Sequence, residues 1–410
     1  MSPRPTVLLG VTGGIAAYKA AELVRLMVKA GLEVHVVMTE AATRFVTPLT
    51  FETLTRQPVG TSLWERDAPG RIEHIDLGRD VDLMILAPAT ADVIGKIACG
   101  LADDLLTTTV MASTKPVLLA PSMNDAMYDN PIVQANLARL AALPRYRVIP
   151  PSEGELACQT VGKGRLPEPA TLLAHVRRAL TPPRLAGRRV LVSAGATRAW
   201  LDDVRYVTNP STGRMGFALA EAAWLAGAEV TLVTGPTLLP TPVGVARVEA
   251  ETVAAMGQAL SARVAEHDLL FMAAAVGDFE AGARAAGKIK KTAHPDGLTV
   301  HLVPAPDLLS GLADVRGACV TVGFAAETSD HERHALDKLA RKRLDYLFLN
   351  PVEGPDAGFA TPTNQGTLFS TRSGRRVDFA NQPKAELASA LLDAVLRDLG
   401  DPLNPKEVPA

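Results

Sequence analysis

Aromatic side chains are scarce in this 410-residue chain: Phe, Trp and Tyr together make up 4% of it, which leaves Leu, Val and Ala to fill the interior. Cysteine is scarcer still. The three thiols, Cys99, Cys158 and Cys319, are odd in number and far apart, which excludes a disulfide framework or a zinc site built on paired cysteines. Charge of one sign is also missing. A formal net charge of −2, from 42 basic and 44 acidic residues, supplies no general electrostatic footprint for nucleic acid or an anionic membrane. Nor is there a long hydrophobic run: the apolar stretches are strand-length and broken by polar residues or proline, too short to span a bilayer. Met1-Ser-Pro-Arg-Pro leads straight into the first strand without an apolar leader core, so a cytoplasmic, reduced protein is expected.

What is present is an ordinary globular mixture, 47% hydrophobic and 21% charged, in a chain longer than one core usually supports. Two domains are expected. The chain is organised around Val7-Leu-Leu-Gly-Val-Thr-Gly-Gly-Ile-Ala-Ala-Tyr-Lys19, an apolar run that breaks into glycines and continues with helical period. It reads as a buried strand, a tight turn and a helix whose N-terminus faces the turn. First-turn amides and the helix dipole favour a negative group above Gly13 and Gly14, and a phosphate is the natural guest. The loop lacks both the Gly-Lys-Ser/Thr ending of a P-loop and the third glycine of a dinucleotide fingerprint. A mononucleotide or flavin phosphate therefore fits better than ATP or NAD. A bare strand-to-helix turn with no ligand is the competing reading.

Further strands are expected at Glu33–Thr39, Asp82–Thr90 and Pro116–Pro121, with helices near 40–45, 91–99 and 104–112 between them. The proline-punctuated stretch from Thr47 to Gly70 reads as a surface excursion. Short strands separated by helix-length segments imply a doubly wound parallel sheet, and Thr39, Thr90 and Asn124 fall at the strand ends where ligands collect. A glycine-bearing loop, 154–165, suits a mobile flap, and a helix follows from Pro169 to Leu180. Adjacent prolines at 182 and 183 mark a linker. Beyond it the same layout starts again, with strands at 189–195, 229–235, 268–274 and 319–324 and a helix over 212–226. Residues 288–291 and 298–303 read as an antiparallel arm, and a late hairpin from Gly366 to Phe379 precedes a last helix. The fold class expected is therefore α/β: a flavodoxin-like or Rossmann-like domain over 1–182, a second Rossmann-like domain with an antiparallel arm over 183–402, and a disordered tail over 403–410.

In order along the chain come Gly13-Gly-Ile-Ala-Ala-Tyr-Lys19, His74-Ile-Asp-Leu-Gly78, Ala87-Pro-Ala-Thr-Ala-Asp92, Ser122-Met-Asn124, the cysteine flap, Asn209-Pro-Ser-Thr-Gly-Arg-Met-Gly216 and Lys288-Ile-Lys-Lys291. In this combination the chain resembles the bifunctional bacterial phosphopantothenoylcysteine decarboxylase / phosphopantothenate-cysteine ligase family of coenzyme A synthesis, over nearly all of residues 5 to 400. For the N-terminal half the resemblance implies an FMN flavoprotein that decarboxylates 4'-phosphopantothenoylcysteine to 4'-phosphopantetheine. Loss of CO₂ from an unactivated α-carbon leaves a carbanion with nowhere to go. A flavin removes that barrier by temporarily oxidising the thiol. The resemblance makes His74 the base or positioning partner, a role that suits an imidazole with an ordinary pKa of about 6.5. It makes Asn124 the holder of the substrate carboxylate, although Asn124 could equally cap the next helix. Cys158 becomes the proton donor in the final reduction, and Gly13, Gly14, Ile15, Ala16, Thr39, Thr90 and Met123 the lining for FMN and substrate.

For the C-terminal half the resemblance implies joining of cysteine to 4'-phosphopantothenate, with CTP and Mg²⁺ activating the carboxylate as an acyl-cytidylate. Asn209 would stabilise that acyl-cytidylate and Lys288 would neutralise charge at the transferring phosphate. Lys338 and Lys342 would meet the triphosphate, and Asp278, Asp307 and Phe324 the cytidine and ribose; the alternative for a lysine pair on a helix is a solvated face. One loop departs from the family, reading Ala196-Thr-Arg-Ala-Trp-Leu-Asp202-Asp203 where the family has a Pro-Thr and a Glu-Pro pair. The partners expected are small molecules and other copies of the chain, decarboxylase trimers linked by ligase dimers, with no nucleic acid and no membrane. The competing functions are a flavin-dependent cysteine decarboxylase with another substrate and an FMN-binding regulator.

Overall fold

A computed structural model describes residues 4–64, 73–155, 161–327, 337–351 and 361–400. The chain divides into two units, Met1–Thr181 and Pro182–Ala410, each built on its own sheet. In the first, β1 (Thr6–Val11), β2 (Glu33–Met38), β3 (Val59–Gly60), β4 (Leu83–Ala89), β5 (Val117–Pro121) and β6 (Tyr146–Val148) lie in the order β3-β2-β1-β4-β5-β6, all parallel. The central strands are near-continuous apolar runs because helices cover both faces. Side chains alternate along a strand, so Val7, Leu9 and Val11 enter one core cluster and Leu8 the other.

The connections carry α1 (Ala17–Lys29), α2 (Glu40–Thr43), α3 (Pro48–Thr55), α4 (Glu73–Asp80), α5 (Ala91–Cys99), α6 (Leu105–Ala112), α7 (Asp125–Tyr128), α8 (Pro131–Ala141) and α9 (Pro169–Leu180). Leu23 and Met27 of α1 and Leu172 and Val176 of α9 close the first cluster, while Ile94 of α5, Leu106 of α6 and Leu137 of α8 close the second. Helix starts follow local chemistry. Asp104 and Thr107 make a reciprocal capping box on α6, and Pro48, Pro131 and Pro169 sit in first turns, where a missing N–H breaks no helical bond.

The expected surface excursion over 47–70 is corrected in its first half, because α3 and β3 belong to the packed unit. Phe51 is fully buried against the α1 side of the sheet, and a two-turn helix that opens on Pro48, buries one large side chain and ends at a left-handed Arg56 is easily mistaken for loop. Phe51→Ala should cost about 3–5 kcal/mol of unit stability in urea titrations; a loss under about 1 kcal/mol would return the segment to the surface.

After β6 an antiparallel ribbon, β7 (Ser152–Glu155) and β8 (Val161–Arg165), forms the base of the expected flap. Cys158 lies outside the described residues.

The second unit contains β9 (Arg189–Ala194), β10 (Arg198–Trp200), β11 (Tyr206–Thr208), β12 (Glu229–Thr234), β13 (Val245–Glu249), β14 (Leu269–Met272), β15 (Phe279–Ala281), β16 (Leu302–Pro304), β17 (Val320–Glu327), β18 (Tyr346–Pro351), β19 (Thr363–Ser370) and β20 (Arg376–Pro383). Its sheet runs β13-β12-β9-β14-β17-β18-β19-β20, parallel as far as β18. The late hairpin, β19 with β20, then adds two antiparallel strands, so this sheet is mixed. Leu191 and Leu270 pack with Met256 of α11 (Val253–Ser261) and Leu312 of α12 (Leu308–Leu312); α10 (Arg214–Leu225) and α13 (Lys384–Asp398) pack against each other. Each sheet reverses strand order beside its first strand. Both units are therefore α/β and doubly wound.

The expected arm is corrected in register. Its strands are β15 and β16, paired antiparallel, whereas Lys288–Lys291 lies in an irregular connection that ends in a 3-10 turn over Lys291–Ala293. Leu298 and Val300 stay 43% and 39% exposed, so the alternating pattern there has no surface to pack on. No described helix is long and apolar enough to cross a membrane.

Candidate functional sites

The first site grows from the turn after β1. Thr12 is fully buried, and its hydroxyl donates to the Pro88 carbonyl at 2.7 Å and accepts the Thr90 N–H at 3.1 Å, tying the ends of β1 and β4 together. A Cβ on Gly13 would stand 2.4 Å from that of Ala41, so only glycine lets this turn pass α2. Above the switch in strand order lies a cavity of about 640 Å³ lined by Gly13, Gly14, Ile15, Ala16, Thr90, Met123 and Asn124 among others. It has the size of a cofactor pocket. The first turns of α1 and α5 both open onto it, and Thr90 caps α5 without a side-chain capping bond. Helix N-termini favour an anion there, while Ile15, Met123 and Leu166 offer apolar surface for a flat ring. The lining fits a flavin phosphate.

Asn124 caps α7, its Oδ1 accepting the Ala126 N–H at 2.9 Å, and the residue also lines the cavity. The flap base is held to the same spot. Gly164 donates no side chain but offers its carbonyl to the Met123 N–H at 3.0 Å, in a backbone with φ +133° where a Cβ would meet the Met123 carbonyl oxygen at 2.3 Å. Lys19 was not singled out in the sequence and also lines the cavity, its Nζ donating to Glu168 at 2.9 Å and to the Leu166 carbonyl at 3.3 Å. Its signals were its place at the end of the Gly13–Lys19 motif and on the apolar face of a helix.

Among the described residues, two expected ones do not line this cavity. Thr39 is buried and caps α2, accepting the Ala42 N–H at 3.3 Å. His74 sits half-buried in the first turn of α4.

The second site lies at the corresponding place in the other unit. A pocket of about 670 Å³ brings together Asn209, Asp278, Asp307, Phe324, Lys338 and Lys342 from segments that are far apart in sequence. Ser193, fully buried on β9, accepts the Ala274 N–H at 3.2 Å, and buried Thr197 accepts the Gly277 N–H at 2.8 Å, which shapes the loop leading to Asp278. The Asn209 Nδ2 donates to the carbonyls of Ala275 at 3.4 Å and Val276 at 3.3 Å. Asp307 caps α12 through Ser310 and pairs with Lys342. Burial pushes the Lys342 ammonium below its ordinary pKa, against the pull of Asp278. Lys338 and Lys342 stand one helical turn apart, linked by the Lys342 N–H to the Lys338 carbonyl at 2.9 Å. Phe324 stacks obliquely with Phe348, centroids 5.5 Å apart. Lys384 at the start of α13 and Asn364 also line the pocket and were missed, since no local motif marks a lysine that opens a terminal helix.

Lys288 is exposed and not among the residues lining that pocket. The 196–203 loop leads toward it. Residues 198–208 form the β10–β11 hairpin, closed by Asp202, whose Oδ1 accepts the N–H groups of Val204 and Arg205, both at 2.7 Å. Trp200 and Tyr206 face each other across it with centroids 5.0 Å apart, and the Arg198 guanidinium lies 4.2 Å over Tyr206. Burial opposes ionisation of Asp202, but amide hydrogen bonds from Val204, Ile289 and Arg205 and the Arg205 guanidinium outweigh it and hold the carboxyl at about 2. Cys319 is the inert opposite: burial pushes its thiol up to about 12.

Residues 1–181 match the family model described as Flavoprotein, and residues 185–399 match DNA/pantothenate metabolism flavoprotein C-terminal domain. The chain is 45% identical over 390 residues to Coenzyme A biosynthesis bifunctional protein CoaBC of Vibrio cholerae, covering 95% of this chain and 97% of that one. It is 43% identical over 394 residues to the protein of the same name from Bacillus subtilis, covering 95% and 96%. A solved structure of the C-terminal domain of such a CoaBC protein is 31% identical, covers 53% of this chain and 99% of its own, and superposes with a TM-score of 0.45.

Proposed function

The chain belongs to the family of coenzyme A biosynthesis bifunctional proteins, and from that membership and the two pockets we propose an enzyme that runs consecutive reactions in separate units. The second unit joins cysteine to 4'-phosphopantothenate at the expense of CTP, and the first removes CO₂ from the product to give 4'-phosphopantetheine. One observation carries the reading: each unit has its own strand-end pocket, apolar and fed by helix N-termini in the first, lysine- and carboxylate-lined in the second.

In the first unit the glycine turn and the starts of α1 and α5 would hold the phosphate of FMN, and Ile15, Ala16, Thr90 and Met123 would offer the cavity wall to the rest of the cofactor. When bound, the flavin supplies a reversible two-electron acceptor for the substrate thiol. Asn124 orients the departing carboxylate with an amide, which avoids the full salt bridge that would stabilise the ground-state anion. His74 takes or positions the thiol proton, and Cys158 returns one.

In the second unit the substrate carboxylate attacks the α-phosphorus of CTP and pyrophosphate leaves; the amine of cysteine then attacks the acyl carbon and CMP leaves. Lys338 and Lys342 balance the triphosphate charge together with Mg²⁺, and Asp278, Asp307 and Phe324 fix the nucleoside. Asn209 donates to the acyl-cytidylate and Lys288 meets charge at the transferring phosphate. Exposed Ile15 and Tyr18 at the first cavity support a homo-oligomer in which neighbouring copies cover that mouth; trimers of decarboxylase units linked by dimers of ligase units are what the family resemblance implies. Free Cys99 and Cys319 suit a cytoplasmic setting.

Mass spectrometry of products from the purified chain given 4'-phosphopantothenate, cysteine, CTP and Mg²⁺ tests the reading. The expected result is 4'-phosphopantetheine with CMP and pyrophosphate in equal amounts. Arrest at 4'-phosphopantothenoylcysteine would remove the decarboxylase half, and no product at all would favour an FMN-binding regulator.

A further inference from the structure

The 196–203 loop holds both neighbours of Lys288. Asp202 has no exposed side-chain surface, and its Oδ2 accepts the Ile289 N–H at 3.0 Å. Asp203, the next residue, accepts the Gly287 N–H at 3.1 Å and the Arg284 guanidinium at 2.9 Å. The amides on either side of Lys288 are thus fixed by consecutive carboxylates. Arg205 closes the frame, its Nη1 bonding the Asp202 Oδ2 at 2.5 Å and the Ile289 carbonyl at 3.1 Å. A backbone bond from the Ala285 N–H to the Leu201 carbonyl, at 2.9 Å, anchors the start of the segment. The same Asp202 caps the turn of the β10–β11 hairpin, whose second strand runs directly into Asn209. One carboxylate therefore connects the strand that delivers Asn209 to the segment that delivers Lys288.

We propose that Asp202, assisted by Asp203, is a positioning residue for ligation, clamping Lys288 by its flanking amides at a set distance from Asn209. This rests on the ligase reading given above. A lysine on an irregular connection, with no strand to stiffen it, samples many positions; two charge-assisted hydrogen bonds to its adjacent amides restrict them. The chain then reaches the transition state with the cation in place, a benefit felt in turnover and not in nucleotide binding, because the pocket-lining residues are untouched.

Asp202→Asn tests the clamp. The amide keeps one oxygen for Val204 and Arg205 but turns an NH₂ toward the Ile289 N–H and the Arg205 guanidinium, donor against donor. Ligase kcat should fall about 10- to 100-fold with KM for CTP within about twofold of wild type. Amide hydrogen exchange at Gly287 and Ile289 should accelerate in the same protein. In a Lys288→Gln background the added Asp202→Asn change should cost less than about twofold, since a clamp has nothing further to place. Asp203→Ala, at an exposed position where folding is not at stake, should lower kcat in the same sense by about threefold or more. Unchanged exchange at Ile289 in Asp202→Asn overturns the clamp itself. A further tenfold loss in the double variant overturns its action through Lys288. Normal ligation by Lys288→Gln alone overturns the underlying role of that lysine, and the exchange result stands apart from it.

Discussion

Replacing His74 by asparagine is expected to lower CO₂ release from supplied 4'-phosphopantothenoylcysteine by roughly 10²- to 10⁴-fold, the range lost when a positioned general base is removed. Asparagine is close in size and still hydrogen-bonds, but it cannot accept and carry a proton near neutral pH. Two further outcomes come from where the structure puts the residue. His74 lies on α4 and is not among the residues lining the first cavity, so the variant should purify with its visible flavin absorbance intact. The described residues lining the second pocket all belong to the other unit, so formation of 4'-phosphopantothenoylcysteine from its precursors should proceed at the wild-type rate. Loss of both activities together would defeat the division into two sites. Loss of the flavin would make His74 a structural residue of the fold.

The two sheets were legible in the sequence because their strands are fully buried: runs such as Leu83–Ala89 and Leu269–Met272 have no polar face to obscure them. The glycine turn was legible for a steric reason, the close pass of Gly13 over Ala41. What hid was structure without a strong period. β3 is two residues long and α3 buries one large side chain, Phe51, so neither writes a pattern into the 47–60 stretch. The β10–β11 hairpin is short and polar, stabilised by Asp202 and by stacking among Arg198, Trp200 and Tyr206, contacts that become visible only when residues six to eight apart are set face to face.

The site residues divide the same way. Gly13 to Ala16, Thr90 and Asn124 stand where strands end, a position that hydropathy alone reveals, and the structure brings them to one cavity. Thr39 stands at such an end too, but its hydroxyl is occupied in capping α2. Sequence position could not separate these cases, because a strand-end hydroxyl serves a helix or a ligand with the same geometry. Lys384 and Asn364 were invisible for a different reason: they reach the second pocket only because the late hairpin extends the sheet past β18 and brings the start of α13 back to it.

The lysines of the second unit give the other large effect, and they should fail in different ways. Lys342 lines the pocket and pairs with Asp307, so Lys342→Gln should raise KM for CTP about tenfold or more while leaving much of kcat. Lys288 is exposed and outside that lining, held by its neighbours' amides on Asp202 and Asp203. Lys288→Gln should therefore lower ligase kcat by about 10²- to 10³-fold, the loss typical when one preorganised cation or donor is taken from a developing charge, with KM for CTP little changed. Steady-state kinetics with CTP varied and the other substrates saturating separates the two patterns. Both variants should decarboxylate supplied 4'-phosphopantothenoylcysteine at the wild-type rate. A Lys288→Gln enzyme that loses CTP affinity in place of turnover would place that lysine on the ground-state nucleotide, and the clamp on it would then serve binding and not the transition state.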